Sequence, residues 1–406
     1  SAGLLADPPA PGAFRSPPLR PARRGAFSPA TEAPMTSERM AINPDLIRWA
    51  RERAGYSLGA AEAHFRDIRA WETRQKAPTY VQLESVAHRF GVPVSVLFFP
   101  KPPDVPEPSR SFRTLPEHEF AALPPRMHLL VRKAQAFQLS LAELTDGRSP
   151  ADQPILRAFD GEEPEPEEVR ARLGLSLDDQ RGWADPATAF REWRTALHDV
   201  GVFVFKDAFR QDDYCGFSIY DAELPVIYVN SSRSATRQIF TLFHELGHLL
   251  RETSGIDPVP SDVLNRLPTA SRSVETHCNR FAADLLLPPG ELDSLMADEE
   301  PTESAATRIA GELNLSREMV YRHFLDHGWI TLEAYREARE RWNVPPTKSG
   351  AGGNSNRTLV TYLGTRYLDM AFAAYYRNRL DENGLADALG VKAARLPKLE
   401  RLLYAG

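Results

Sequence analysis

Two histidines and a glutamate lie within one helical turn of one another in the segment 240–250, FTLFHELGHLL. His244 and His248 are four residues apart, so on a helix both imidazoles can reach one divalent ion. Glu245 follows His244 directly, and this spacing brings its carboxylate near a water molecule bound to that ion. Apolar residues recur at helical spacing around the motif, which predicts an amphipathic helix. The pattern is typical of zinc hydrolases, and the alternative is a surface helix that carries these residues by chance.

A catalytic zinc ion needs a third protein ligand and an open fourth position for water. The best downstream candidate is Glu275, at the start of the segment 273–288, where an apolar stripe predicts a second helix that ends at Pro288. By chemistry alone, His277 and Cys278 compete with it. Cys278 is more simply interpreted as a small buried residue. Successive residues on a helix are rotated by about 100° around its axis, so His277 points away from the side of the helix that carries Glu275.

Three stretches of sequence resemble the ImmA/IrrE family of metallopeptidases, bacterial regulatory proteases that cleave repressor proteins after DNA damage or peptide signalling. The family pattern has an Asn after a buried strand, an Arg-x-x-Phe-Thr lead-in to the histidine motif, and a Glu-x-x-x-Asn-x-Phe-Ala helix. The matching stretches are PVIYVN at 225–230, RQIFTLFHELGH at 237–248 and ETHCNRFAADLLLP at 275–288. The resemblance is specific from about residue 190 to residue 288.

This resemblance implies a cofactor and a ligand set. It implies that His244, His248 and Glu275 bind Zn²⁺, with Mn²⁺ as the alternative in vivo, because one N/O site binds several divalent metals. Glu245 is then the catalytic carboxylate, which takes a proton from water and delivers it to the leaving amine. One departure from the family is Cys278, where a small alanine is usual.

Further residues are expected to support this site. Thr241 precedes His244 by three residues and is expected to orient a ligand. Gly247 lies inside the predicted helix, where glycine is less stabilising than alanine. This loss is tolerable if another backbone, predicted to be a strand, passes close to Gly247. The candidates for stabilising an oxyanion are Tyr214, Tyr220, Tyr228 and a histidine from elsewhere in the chain.

The fold class predicted is mainly α with a small β-sheet (α+β), containing a zincin-like peptidase domain. Residues 216–219 and 226–229 are predicted to be neighbouring strands joined by the acidic turn 221–225. An exposed edge on these strands would bind an extended peptide by strand addition.

The segment 40–100 resembles the Cro/C1-type (XRE) helix-turn-helix. Ser57 is a predicted helix cap, and Trp71-Glu72 is predicted to follow the recognition helix. Between these positions the family normally has about four more residues, so the DNA-reading unit is shortened. The bundle is therefore either a DNA-binding unit or a vestigial module for dimerisation or partner contact. Positive charge for phosphate contacts is available from Arg66, Arg69, Arg74 and Lys76.

Composition and motif order divide the chain into seven predicted units. They are a disordered Pro/Arg-rich tail (1–39), the helix-turn-helix (40–100), a linker and helical connector (101–184), the metallopeptidase (185–292), a helical extension (293–345), a flexible linker (346–356) and a C-terminal helical module (357–406). The segment 384–392 invites interpretation as a further helix-turn-helix, but its mixed charges favour structural support.

The overall composition restricts the environment and the partners. The chain has 406 residues, a net charge of −6 and two cysteines, which excludes a disulfide scaffold and predicts a reducing, cytoplasmic location. No apolar run approaches a membrane span, so no membrane partner is predicted. The acidic balance gives no global nucleic-acid signature.

Two functions of different classes follow from the sequence. The first is a zinc-dependent endopeptidase that cleaves a protein partner, such as a transcriptional repressor, in a stress response. The second is a DNA-binding transcriptional regulator or an antitoxin-like binding protein with a toxin partner, whose peptidase domain recognises a partner with little turnover. The complete histidine motif favours the first function, and the fused helix-turn-helix favours the second.

Overall fold

The protein is mainly helical with one small mixed sheet, which confirms the predicted α+β class. The computed structural model describes residues 38–105, 120, 122–159, 164–258, 269–342 and 355–404. Most of the predicted N-terminal tail and of the predicted flexible linker lies outside these residues. Among the described residues, no helix has the length and apolar character needed to cross a membrane.

The α-helices follow one another along the chain and are numbered here in that order. They are α1 (Pro44–Arg53), α2 (Leu58–Glu62), α3 (Ile68–Glu72), α4 (Tyr80–Phe90), α5 (Pro125–Thr145), α6 (Ile155–Ala158), α7 (Pro166–Leu173), α8 (Leu177–Gly182), α9 (Pro186–Asp199), α10 (Ala235–Leu250), α11 (Thr269–Leu286), α12 (Pro289–Leu295), α13 (Glu303–Glu312), α14 (Arg317–Asp326), α15 (Leu332–Trp342), α16 (Ser355–Leu363), α17 (Thr365–Tyr376), α18 (Glu382–Ala388) and α19 (Leu396–Tyr404). Short 3-10 helices span Val94–Phe98 and Ala393–Arg395.

The sheet contains four strands in the order β1-β3-β2-β4. These are β1 (Phe203–Asp207), β2 (Tyr214–Ile219), β3 (Val226–Asn230) and β4 (Ile256–Pro258). Strand β1 runs parallel to β3, whereas β2 is antiparallel to both β3 and β4. The prediction that β2 and β3 are neighbouring strands is confirmed. The prediction of an exposed edge on this pair is wrong, because β1 pairs with the outer side of β3 and β4 pairs with the outer side of β2.

Helices pack on both faces of the sheet, which explains why β3 is buried along its whole length. On one face, α7, α9, α10, α11 and the helices from α12 to α15 form the first core. Trp193 of α9 packs edge-to-face against Phe243 of α10, with ring centroids 4.8 Å apart. The first core therefore unites the peptidase-like segment with the helical extension that follows it.

The opposite face of the sheet carries the second core, which α5 and the C-terminal helices α16–α19 complete. Phe137 of α5 stacks on Phe205 of β1 at 4.8 Å. Arg194 of α9 is buried and donates to the backbone carbonyls of Thr361 and Tyr362, at 2.7 and 3.0 Å. The C-terminal helices are thus joined to the sheet by packing and by a buried guanidinium.

Helices α1–α4 form an N-terminal bundle with its own core. Ser57 accepts a hydrogen bond from the N–H of Ala60 at 3.1 Å, as its prediction as a helix cap requires. Trp71 and Glu72, predicted to lie in the segment after the recognition helix, are instead the last two residues of the five-residue helix α3. Arg132 of α5 donates to the carbonyl of Phe90 at 2.9 Å and fixes the bundle against α5.

Candidate metal centre

Helix α10 begins at a sequence-encoded cap and is buried over most of its length. The hydroxyl of Ser234 accepts a hydrogen bond from the N–H of Arg237 at 3.3 Å, which satisfies a free donor at the helix start. The apolar side chains of α10 pack in the first core, so the polar residues of the same helix are buried as well. His244, Glu245 and His248 are all buried.

Helix α11 crosses α10 closely at Gly247. A Cβ atom there would lie 3.3 Å from Sγ and 3.4 Å from Cα of Cys278, so glycine lets the two helices approach. The expected close neighbour was a strand, and this prediction is wrong because the neighbour is α11. The crossing places the start of α11, with Glu275, beside the histidines of α10.

Three side chains from α10 and α11 converge. Nε2 of His244 lies 3.2 Å from one carboxylate oxygen of Glu275, and Nε2 of His248 lies 3.3 Å from the other. One donor atom from each residue can be chosen so that all three lie within 4.8 Å of one another. Within the described part of the chain, no other group of three His, Cys, Asp or Glu side chains meets this spacing. Two imidazoles and a carboxylate form a donor set that catalytic zinc uses.

The two competing ligands from the sequence lie elsewhere on α11. Cys278 is fully buried against Gly247. The ring of His277 stacks on Phe281, with centroids 6.4 Å apart. Neither joins the cluster, so the geometry favours Glu275 as the third ligand.

Neighbouring groups orient the two imidazoles. Oδ1 of Asn279 lies 3.1 Å from Nδ1 of His244, so an Nδ1–H donor leaves Nε2 free for a metal. The hydroxyl of Thr253 donates to the carbonyl of His248 at 2.9 Å, which secures the end of α10. A Cβ atom at Gly255 would overlap the His248 ring, so the backbone after α10 covers that imidazole.

Carboxylates compensate for the burial of the imidazoles. Burial disfavours the positive charge of His244, but Asp257 and the neighbouring glutamates outweigh this effect and raise the pKa of His244 to about 9. Burial disfavours the charged form of Glu275, but hydrogen bonds from His244 and His248 lower its pKa to about 2. The cluster therefore attracts positive charge. A divalent cation would displace the protons, because histidine binds a metal only in its neutral form.

Glu245 is fully buried beside the cluster. Its Oε2 atom accepts a hydrogen bond from the hydroxyl of Ser218 at 2.7 Å, whereas Oε1 has no hydrogen-bond partner among the described residues. Burial raises the pKa of Glu245 to about 7, although the neighbouring histidines oppose this. A carboxylate with a pKa near neutrality is suited to accept a proton and return it.

The hydroxyl of Thr241 forms its hydrogen bond with strand β4 and not with a candidate ligand. Its hydroxyl donates to Asp257 of β4 at 3.2 Å, and Arg237 donates to both oxygens of the same carboxylate at 3.2 Å. The expectation that Thr241 orients a ligand directly is therefore wrong. These contacts instead attach β4 to α10.

The three tyrosines considered for an oxyanion are separated by the sheet. Tyr228 is buried in the second core, where its hydroxyl lies 3.4 Å from Asp207, and Tyr214 packs against that core as well. Both therefore lie on the face opposite α10. Tyr220 packs against the first core, on the side of the cluster.

The predicted DNA-binding residues differ in their surroundings. Arg69 forms a two-point ion pair with Glu62, at 2.6 and 3.1 Å, and Lys76 is paired with Asp67. Arg66 and Arg74 are exposed. Two of the four cations are thus already neutralised by carboxylates within the bundle.

Sequence reasoning missed Ser218 and Asp257. Both lie on strands and reach the site only because β2 and β4 pack against α10. One signal for Ser218 was present: Gly216 and Ser218 are small residues on one face of β2, which permits the close approach of a helix.

Comparisons with known proteins match this part of the chain. Residues 197–325 match the peptidase family model described as the IrrE N-terminal-like domain. The radiation response metalloprotease IrrE of Deinococcus deserti is 36% identical over 99 residues, which cover 24% of this chain and 34% of that protein. The radiation response metalloprotease IrrE of Deinococcus radiodurans is 32% identical over 99 residues, covering 24% and 30%. The chain thus spans about a third of the length of these curated relatives. These matches support the predicted metallopeptidase domain.

Proposed function

We propose that this chain is a zinc-dependent endopeptidase that cleaves a protein partner. The observation that carries the proposal is the convergence of His244, His248 and Glu275 beside the buried Glu245. These three residues would hold a zinc ion, which would supply Lewis acidity to polarise a peptide carbonyl and to lower the pKa of water. Mn²⁺ is the alternative ion, because the same N/O donor set accepts several divalent metals.

Glu245 performs the proton transfers in this proposal. Within the described part of the chain, its Oε1 atom lacks a hydrogen-bond partner, and this oxygen can accept a proton from the attacking water. The same carboxyl group then delivers the proton to the amine of the departing peptide. Its raised pKa, about 7, suits both steps near neutral pH.

The proposed substrate is a regulatory protein, such as a transcriptional repressor, that is cut in a stress response. Support comes from the two relatives, which are radiation response metalloproteases. The resemblance of the histidine and Glu275 segments to regulatory proteases points in the same direction.

The test is a comparison of new protein N-termini in a bacterial lysate. The zinc-loaded chain is expected to generate a small set of N-termini, and these should disappear with EDTA and with Glu245→Gln. The Glu245→Gln chain should retain and enrich the same uncut proteins. Cleavage that persists in both controls would show that another protease or another site is responsible.

A second candidate function is DNA-binding regulation through the N-terminal bundle. The observation that favours it is the position of Arg66 and Arg74, which are exposed around the short α3. Such cations are suited to phosphate contacts, which position a protein on DNA without reading its sequence. Gel-shift measurements with a promoter fragment and a scrambled control separate specific from non-specific binding.

A further inference from the structure

Ser218 carries a buried hydroxyl on strand β2, which lies against helix α10. It is the penultimate residue of β2, which pairs with β3 on one side. On the other side, the N–H of Ser218 donates to the carbonyl of Gly255 at 3.0 Å. Its side chain is fully buried and faces Glu245. A buried hydroxyl must find partners, because an unsatisfied one is costly.

The spacing of β2 matches the spacing of α10. Two residues along a strand advance about 6.6 Å, and four residues along a helix advance about 6.0 Å. Gly216 therefore faces Thr241, where a Cβ atom would lie only 2.5 Å from the threonine methyl carbon. Two residues later, Ser218 faces Glu245. The close approach at Gly216 brings the serine within hydrogen-bond distance of the carboxylate.

The hydrogen bonds of Ser218 have a defined direction. The N–H of Gly255 donates to its oxygen at 3.1 Å, and the hydroxyl proton is donated to Oε2 of Glu245 at 2.7 Å. A serine hydroxyl has one proton, so this arrangement commits that proton to the carboxylate. Oε2 is thereby held, while Oε1 has no hydrogen-bond partner in the segments that the structure describes.

We propose that Ser218 is a positioning residue for Glu245: it holds Oε2 so that Oε1 is the oxygen that exchanges protons with water and the leaving amine. This proposal rests on the proposed peptidase function. A carboxylate that is free to rotate would present either oxygen in several orientations. A fixed carboxylate avoids that reorganisation during the reaction.

A purely structural role would make different predictions. Ser218 also accepts the N–H of Gly255, so its loss could loosen the segment that covers His248. Such loosening would act on metal binding and would not depend on the identity of residue 245. An effect transmitted through Glu245 should instead disappear when that carboxylate is absent.

The experiment uses the full zinc-loaded chain and a degenerate library of quenched fluorescent peptides. The variants are Ser218→Ala, Ser218→Thr, Glu245→Gln and the double variant Ser218→Ala/Glu245→Gln. Ser254→Ala is the matched control, since it removes another buried hydroxyl, whose oxygen accepts the N–H of Tyr220 at 2.9 Å. Zinc content, thermal unfolding, kcat and KM are measured for each, and crystal structures of the zinc-loaded wild type and Ser218→Ala are compared.

We expect Ser218→Ala to lower kcat about tenfold, as for the loss of a hydrogen bond to a charged group, with KM and zinc content unchanged. Ser218→Thr should restore most of the rate, and Ser254→Ala should retain it. In the Glu245→Gln background, Ser218→Ala should have little further effect. In the crystal structure of Ser218→Ala, the carboxylate of Glu245 should be reoriented or spread over several positions.

An unchanged kcat in Ser218→Ala, an equal loss in the Glu245→Gln background, or zinc loss parallel to the rate loss would each overturn the positioning role. If the zinc-loaded wild type leaves the library uncut, the proposed peptidase function fails. The crystal structures then still report on Ser218, because a carboxylate that keeps its orientation in Ser218→Ala contradicts the positioning role without any turnover measurement.

Discussion

The candidate metal centre and the N-terminal bundle use charged side chains in different ways. In the metal centre, His244 and Glu275 are largely withdrawn from solvent and lie 3.2 Å apart. In the bundle, Arg69 and Lys76 lie at the surface and are paired with carboxylates of the same short helical region. One set of charges is held in fixed positions by two packed helices, whereas the other remains accessible to water and salt.

This difference determines how much each region can contribute. Exposed ion pairs contribute little to stability and are screened by salt. Buried groups interact strongly, and their geometry is fixed by the surrounding packing. We therefore expect substitutions in the metal centre to change chemistry by orders of magnitude, and substitutions in the bundle to change DNA affinity only modestly.

The largest effect is expected from Glu245→Gln. This variant should keep its fold and metal but lose peptide cleavage by roughly 10²-fold or more, because the amide cannot accept the proton. Cleavage rates on the fluorescent peptide library provide the measurement. Glu192→Gln is the matched control, since Glu192 is exposed on α9 and the chemical change is identical. Equal rates for the two variants would remove Glu245 from the mechanism.

A smaller effect is expected from Asn279→Ala. Loss of the contact between Asn279 and Nδ1 of His244 should weaken metal affinity about tenfold or more, because such partners fix the tautomer and direction of the ligand. Competition with a zinc-binding dye measures this affinity. Asn314→Ala is a control that removes a side-chain amide elsewhere in the chain, one that is buried and donates to the carbonyl of Trp183. An Asn279→Ala chain with wild-type zinc affinity would show that His244 is oriented by packing alone.

A few-fold effect is expected when the bundle's ion pairs are removed. The double variant Glu62→Gln/Asp67→Asn frees Arg69 and Lys76 for phosphate contacts. Its DNA affinity at low salt should increase a few-fold, and its dependence on salt should become steeper by up to about two released counterions. Fluorescence anisotropy across a salt series, on promoter and scrambled fragments, gives both quantities.

The same series tests the nature of wild-type DNA binding. We expect it to be weak and chiefly electrostatic. Strong promoter preference that survives physiological salt would contradict this and favour the transcriptional-regulator function. An absence of binding even at low salt, in both proteins, would identify the bundle as a protein-contact module.

The smallest effect concerns pH and His128 of α5, which lies beneath Gly55 of the bundle. Burial and the nearby Arg132 lower the pKa of His128 to about 4. The unfolded chain therefore binds more protons than the folded chain between about pH 6.5 and 4. The stabilisation is complete above this range and is lost as the pH falls through it.

Thermal unfolding between pH 7 and 5 measures this contribution. The midpoint of the wild type should fall by a few degrees more than that of His128→Leu, whose side chain does not titrate. His88→Leu is the control, because His88 is exposed on α4. Parallel decreases in all three proteins would show that His128 does not sense pH.

The extent to which the sequence predicted the site depends on how many elements position each residue. His244, Glu245 and His248 lie on one helix, so their spacing alone predicts a shared face. Glu275 lies on a second helix, and its selection over His277 needed a family resemblance, since the crossing at α10 is a tertiary feature. Both helices were predicted correctly, and α11 ends before Pro288 as expected.

Strand positions were less accessible to sequence reasoning. The register between β2 and α10 that brings Ser218 to Glu245 depends on packing that no local pattern encodes. The pairing of β4 with β2 was likewise not predicted, because β4 is only three residues long. In the bundle, α2 ends at Glu62 and α3 spans only Ile68–Glu72, and no local pattern predicted that these two helices are so short.

The most direct test of the account is metal stoichiometry. Elemental analysis of the purified wild type is expected to give about one Zn²⁺ or Mn²⁺ per chain, and His244→Ala/His248→Ala/Glu275→Ala should bind none, because no donor of the cluster remains. His277→Ala should retain the ion, since this histidine stacks on Phe281. A stoichiometric metal in the triple variant would show that the ligand set is wrong.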